Sequence, residues 1–299
     1  MPGFNLQSTI CNLQWEGGLS DKVAVVTGSS SGIGLLATVE LARRGFRVVA
    51  TMRRLERRQK LDEAAAAAKV SDRLDLRRLD VTEFASLPPA VEAMVRDHGR
   101  LDVLVNNAGF STGGFCEDML LDEIRTQFET NFFGAVAMTQ AVLPTMRQQG
   151  SGHIIMISSI AGRLGQPVVG SYCASKHALE GWSESLRVET HSLGIRVALV
   201  EPGAFETDIW TRNVRVGSKA MGPESPNKER SRRFVEFVRK DLKKRDPQPV
   251  ARLIADIAEN PNPRLRYLIG SDARWGFWLK TLLPWKTWEK MVAKHTHID

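Results

Sequence analysis

The chain has 299 residues, 42% of them apolar and 25% charged, with 41 Lys plus Arg against 34 Asp plus Glu and only three cysteines. A chain of this size buries about three quarters of its unfolded surface, which excludes disordered and fibrous architectures. Cys11, Cys116 and Cys173 are too few and too scattered for a disulfide framework or a thiolate metal site, and no run of about eighteen apolar residues is present to cross a membrane.

Residues 1–20 contain no Lys or Arg and no continuous apolar stretch, so they read as a short arm and not as a secretory leader. Residues 22–27 are almost wholly apolar, as in a strand buried on both faces. They end in Gly28, Gly32 and Gly34 and pass into a helical pattern up to residue 44. Strands follow at 46–51, 74–79 and 101–106, separated by helical stretches reaching 68 and covering 88–98. One long helix or two fill 120–149. A fifth strand covers 153–158, a helix 172–193, a sixth strand 196–201, and a short run at 266–269 makes a seventh. This alternation predicts an α/β protein in three layers around a doubly wound parallel sheet.

Two stretches break the rhythm. Residues 204–245 form a long insert after the sixth strand, read as a helical lid, and residues 272–299 form an aromatic and basic extension. Within 211–245, twelve basic residues face four acidic ones, so the basic excess of the chain is local. With no nucleic-acid module in sight, the insert reads as a solvated surface and nucleic acid is excluded as a partner.

Three motifs carry chemistry. A glycine turn between a buried strand and a helix lets backbone amides approach a pyrophosphate, although an ordinary tight turn looks the same. Asn106, Asn107, Ala108 and Gly109 close the fourth strand, where open parallel sheets bind ligands; a simple strand-ending turn is the alternative. Tyr172 and Lys176 lie four residues apart and share one helix face. An ammonium about 4 Å from the phenol is worth roughly 4 kcal/mol at an effective dielectric near 20, about three pK units, which brings the phenol towards neutrality. A merely exposed helix face fits the same spacing.

Taken in order, the glycine turn, the Asn106–Gly109 strand end, Asn131, the pair Ser158 and Ser159, the Tyr172/Lys176 helix, and then Pro202, Gly203 and Thr207 resemble the single-domain branch of the short-chain dehydrogenase/reductase family. The resemblance spans residues 21 to about 270 and implies a Rossmann catalytic domain over 21–271. It also implies a catalytic tetrad of Asn131, Ser159, Tyr172 and Lys176. Tyr172 passes the proton, Lys176 lowers its pKa and holds the nicotinamide ribose, Ser159 holds the carbonyl oxygen, and Asn131 anchors a water behind Lys176. Cofactor contacts are implied for Gly28, Ser30, Ser31, Gly32, Ile33 and Gly34 in the turn. Asp80 and Val81 border the adenine, and Asn107, Ala108 and Gly109 lie along the fourth strand's end. Pro202, Gly203, Phe205 and Thr207 frame the carboxamide.

The second strand ends in Arg53 and Arg54, with no acid before Glu56. That arrangement suits a ribose 2′-phosphate and disfavours a 2′-hydroxyl, so the cofactor is read as NADP(H) with Arg53 as the main contact. The function implied is interconversion of a ketone or aldehyde and an alcohol, in the manner of a carbonyl reductase or hydroxysteroid dehydrogenase. A non-catalytic NADP(H)-binding regulator or scaffold is the alternative. Ser159, Phe205, Ile209 and Trp210 are read as substrate pocket, together with an apolar face of the lid at Phe234, Phe237, Val238 and Leu242, which favours a bulky hydrophobic substrate. No metal is expected. The chain is read as cytoplasmic and as a homodimer or homotetramer, assembled through a surface drawn from Phe132, Phe133, Val136, Ala178, Trp182 and Leu186, some of which must face the sheet. Tryptophans and lysines in the tail also suit a membrane surface, but core packing is the commoner fate of tryptophan, so peripheral membrane contact is placed second.

Overall fold

The structure is a computed structural model that describes residues 22–298; the N-terminal arm read at 1–20 lies outside the described residues. In chain order the first half comprises β1 (Val23–Thr27), α1 (Gly32–Arg43), β2 (Arg47–Met52), α2 (Gln59–Ala67), β3 (Leu74–Arg78), α3 (Leu87–His98) and β4 (Val103–Asn106). Next come β5 (Ser111–Gly113), α4 (Leu121–Phe128), α5 (Gly134–Gln149), β6 (Gly152–Ile157), α6 (Gly170–Thr190) and β7 (Ile195–Pro202). The last part holds β8 (Val214–Val216), α7 (Lys228–Lys240), α8 (Gln248–Glu259), β9 (Arg266–Ile269), α9 (Ser271–Leu282) and α10 (Trp285–His295).

Seven strands form one parallel sheet in the order β3-β2-β1-β4-β6-β7-β9. The order reverses between β1 and β4, and it is outside the carboxyl ends of strands at such a switch point that a ligand crevice opens. Successive side chains of a strand point to opposite faces. Val23, Val25, Leu104 and Met156 accordingly pack under Met94 of α3, Met138 and Val142 of α5 and Leu179 of α6. Ala24, Val26, Val105 and Ile155 pack under Ala37 and Leu41 of α1 and Val250 and Ile254 of α8. The expected three layers are present.

Of the one helix or two read at 120–149, the structure has one continuous run over residues 121–149, in which a π-helical turn at Glu129–Phe133 joins α4 to α5. Two features differ from the sequence reading. Helix α8, unassigned from sequence, buries Val250, Ala251, Ile254, Ala255, Ile257 and Ala258 and packs on α1. The short strands β5 and β8 pair in parallel, tying the lid to the loop after β4. Of the residues read as the assembly surface, Leu186 is one that faces the sheet, buried in the core beneath α6.

The lid leaves the fold and returns at one neck. The Arg245 amide donates to the Ala204 carbonyl at 3.1 Å, and the Glu206 amide donates to the Arg245 carbonyl at 2.7 Å. Asp272, in the first turn of α9, accepts from the Ala204 amide at 2.6 Å and from the Arg245 guanidinium at 2.5 Å. Beyond the neck, Phe237 of α7 lies against the rings of His295 and His297. In the tail, core packing holds for Trp288, which joins Ile160, Leu164 and Ala273, whereas Trp275, Trp278 and Trp285 remain exposed.

Candidate active site

The glycine turn and the end of β4 form one bonded unit. Gly28 and Gly32 have φ of 72° and 57°, a left-handed backbone that favours glycine. Thr27 Oγ1 accepts from the amides of Asn107 and Ala108, both at 3.0 Å, and Asn107 Nδ2 donates to the carbonyls of Thr27 and Gly28 at 2.9 and 3.1 Å. A Cβ on Gly34 would run into Asn107 Nδ2 and the Gly28 carbonyl, so this glycine allows the approach of α1. Ser31, the N-cap of α1, makes no side-chain capping bond, so its hydroxyl does not occupy the first-turn amides beside the turn.

A cavity of about 1060 Å³ starts at this turn and passes Arg53, Asp80 and Asn107 to reach Ser159, Tyr172 and Lys176. It continues beneath the lid to Phe205, Ile209 and Trp210. Every site residue expected from sequence lines it except Gly34 and Asn131. Asn131 sits inside the π-helical turn, only 2% exposed, because the widened turn points its side chain inwards. Its amide accepts from the Phe110 N–H at 3.1 Å, donates to the Phe110 carbonyl at 2.9 Å, and reaches Ser175 Oγ at 3.3 Å. Asn131 thus holds the loop after β4.

Tyr172 and Lys176 stand on the first turns of α6, as the spacing predicts. Their electrostatics run opposite to the sequence expectation. The Lys176 ammonium donates to the Ile157 carbonyl at 2.7 Å and lies 5.8 Å from the centre of the Tyr172 ring. Burial pushes the phenol up to about 12, opposed by its hydrogen bond with Ser159. Although Tyr172 retains some exposure as a residue, the packing around it is dense, and desolvation of the phenolate dominates. Burial also brings Lys176 down to about 8, with nearby Glu180 acting against it. Ser159 Oγ accepts from the Ala161 amide at 3.1 Å and faces the Pro202 carbonyl at 3.4 Å. Its neighbour Ser158 also lines the cavity, with a buried hydroxyl that has no partner.

At the other end of the cavity, Arg53 Nε is 3.9 Å from Asp80 Oδ2 and its side chain is half exposed. Asp80 Oδ1 is held by the amide and hydroxyl of Thr82, at 3.0 and 2.8 Å. Arg54, Arg78 and Arg215 gather around the same corner. Arg215, not foreseen from sequence, comes from β8 of the lid and stacks over the Phe110 ring at 4.2 Å. Asp272, which also lines the cavity, had no motif to announce it. Among the described residues no group of three or more His, Cys, Asp or Glu side chains is placed to hold a metal.

Comparison with known proteins fits this geometry. The family model described as short chain dehydrogenase matches residues 22–215. An uncharacterized oxidoreductase of Bacillus subtilis, YusZ, is 42% identical over 92% of this chain and 99% of its own length. A 3-ketodihydrosphingosine reductase of Bacteroides thetaiotaomicron is 36% identical, covering 84% of this chain and 89% of its own. Human retinol dehydrogenase 8 is 36% identical, covering 82% and 80% respectively. Among solved structures, a short-chain dehydrogenase from Streptomyces avermitilis superposes with a TM-score of 0.78 at 33% identity, covering 92% of this chain and 98% of that one. A metagenomic short-chain oxidoreductase in complex with NADP superposes with a TM-score of 0.65 at 28% identity, covering 84% and 97%.

Proposed function

The chain belongs to the short-chain dehydrogenase/reductase family, and from that premise we propose that it moves a hydride between NADP(H) and a bulky hydrophobic ketone, aldehyde or secondary alcohol. The observation that carries the reading is one cavity joining a glycine turn and an arginine corner to Ser159, Tyr172 and Lys176 beneath an apolar lid. The residues present suit the cofactor. The turn can take its pyrophosphate at the start of α1. Arg53, Arg54 and Arg215 supply cations for a 2′-phosphate, with no carboxylate at the end of β2 to repel it. The bound nicotinamide supplies or accepts the hydride.

The remaining steps belong to the protein. Ser159 fixes the substrate oxygen beside Tyr172. Tyr172, protonated at neutral pH and beside Ser159, is the group placed to give its proton to the substrate oxygen in carbonyl reduction. Lys176, which lines the same cavity, would hold the nicotinamide ribose, and its charge would favour the phenolate left behind. Phe205 and Trp210, with Phe234 and Val238 of α7, form an apolar ceiling that excludes water and selects bulky apolar substrates. The names of the sphingoid and retinoid relatives support that substrate class.

Following NADPH absorbance over a panel of long-chain and cyclic ketones tests the reading. Turnover is expected with the apolar ketones, and Tyr172→Phe should lower kcat by about 10²–10⁴-fold while NADPH still binds. NADPH binding with no turnover on any member of the panel would favour the regulatory alternative. We also place the protein in the cytoplasm as a homodimer or homotetramer. Phe133, exposed at the junction of α4 and α5, and the partly exposed Phe132, Val136, Ala178 and Trp182 support an assembly surface. A monomer mass by light scattering would refute it.

A further inference from the structure

Four large apolar side chains of the tail stand in solvent: Trp275 is 69% exposed, Trp278 56%, Leu282 73% and Trp285 65%. Trp275, Trp278 and Leu282 follow one another at helical spacing along α9, and Trp285 opens α10 immediately after. We propose that this ridge is a docking surface for an anionic lipid bilayer and that it brings the mouth of the cavity to the membrane.

The charge around the ridge favours this occupant. Residues 271–298 carry five cations against two acids, Asp272 and Glu289. Asp272 is engaged by Arg245, and Lys280 donates to the Arg163 carbonyl, which leaves Arg274, Lys286, Lys290 and Lys294 as exposed cations on the same two helices. Indole rings flanked by lysines suit the headgroup boundary, where the rings meet acyl chains and the cations meet lipid phosphates and carboxylates. A second copy of the chain fits less well, since a two-fold contact through the ridge would set these cations against their own images.

The ridge also adjoins the cavity. Trp275 lines it, together with Leu279, Trp288, Met291 and His295, so one face of the tail is open to solvent while the other walls the substrate end. An apolar molecule leaving a bilayer at Trp275 would reach the lid interior without crossing bulk water. No described helix is long and apolar enough to cross a membrane, so the contact is peripheral.

Flotation of the full-length protein with vesicles of phosphatidylcholine, alone or mixed with phosphatidylserine, tests this. The protein should float with the mixed vesicles at low salt, much less with phosphatidylcholine alone, and should be released as salt is raised. Replacing Trp275, Trp278, Leu282 and Trp285 together by Ser should abolish flotation with the circular dichroism spectrum kept. Should that variant misfold, quenching of wild-type tryptophan fluorescence by brominated lipid in the mixed vesicles decides instead. Sedimentation with the vesicle-free fraction, flotation undiminished in a folded Ser variant, or absence of quenching each overturns the proposal. So does a Ser variant that converts a dimer into a monomer when the wild type binds no vesicles.

Discussion

Arg53 lies 3.9 Å from Asp80, too far for a strong ion pair, and half of its side chain is in water, so its cation is available to a phosphate. A charge-assisted contact of that kind is worth about 1.5–3 kcal/mol, roughly 10- to 100-fold in affinity. Arg53→Asp should therefore cost NADPH about that factor in kcat/KM and leave NADH unchanged or improved. Steady-state kinetics with both cofactors checks this, and an unaltered preference would remove Arg53 from the cofactor site. Glu201, at the end of β7, illustrates a different residue effect. It is buried between Arg163 and Arg266, each 3.1 Å away, yet burial, reinforced by Glu180, pushes its carboxyl up to about 7. Between the ordinary value of 4.5 and about 7 the folded protein holds a proton that the unfolded chain releases, so this group's contribution to stability falls as pH rises through that window. The melting temperature of Glu201→Gln relative to wild type should increase from pH 5 to pH 8. Parallel melting curves would contradict it.

The elements that carry the site differ in how openly they are written in the chain. β1, β4, β6 and β7 are sealed by helices on both sides, so their middles are apolar runs, with polar residues such as Asn106, His153, Arg196 and Glu201 only near the ends. The glycine turn and the Tyr172/Lys176 helix follow from spacing alone. β5 and β8 could not be found this way. Each is three residues long, and their pairing joins Ser111 to Val214 across the intervening β6 and β7. Arg215 was invisible for the same reason, because only that pairing carries it to the arginine corner. The direction of the Tyr172 shift is not legible in the sequence, because helical spacing shows that two side chains share a face but neither the burial that desolvates the phenol nor the turn of Lys176 to the Ile157 carbonyl. Asp272 acts through the neck of the lid, and no local pattern marks it. Removing it would leave the Ala204 amide without its acceptor and Arg245 without its carboxylate. Asp272→Ala should therefore lower stability by about 1–2 kcal/mol, discounted because the pair is a third exposed, and raise KM for a bulky ketone several-fold. Thermal melts with kinetics on large and small substrates would show it; an equal effect on both would mean that the neck does not control the lid.

Across the whole molecule, charge and apolar surface are divided between parts. The sheet and its helices hold the dinucleotide end of the cavity, while lid and tail carry the cationic excess and the exposed tryptophans. The two are joined at the neck of Ala204 and Arg245, by the β5–β8 pair, by Ser225 and Asn227 on Asp118, by Lys280 on the Arg163 carbonyl, and by Trp288 against Ile160 and Leu164. The neck has a consequence for inheritance and engineering. A loop whose ends are already pinned can change length at little cost, since closure entropy grows only with the logarithm of its size, about 0.6 kcal/mol per doubling. Residues between Val216 and Lys244, pinned at β8 and at the neck, are therefore an exchangeable cassette, with Thr207 and Arg215 left in the host. Grafting a relative's lid between the same two hinge residues should transfer substrate choice and leave NADPH affinity with the host. A graft that folds but loses the cofactor would show that the two functions are inherited together. If the graft keeps it, new substrates can be acquired in this chain by rewriting one excursion of the backbone, with the chemistry at Tyr172 left untouched.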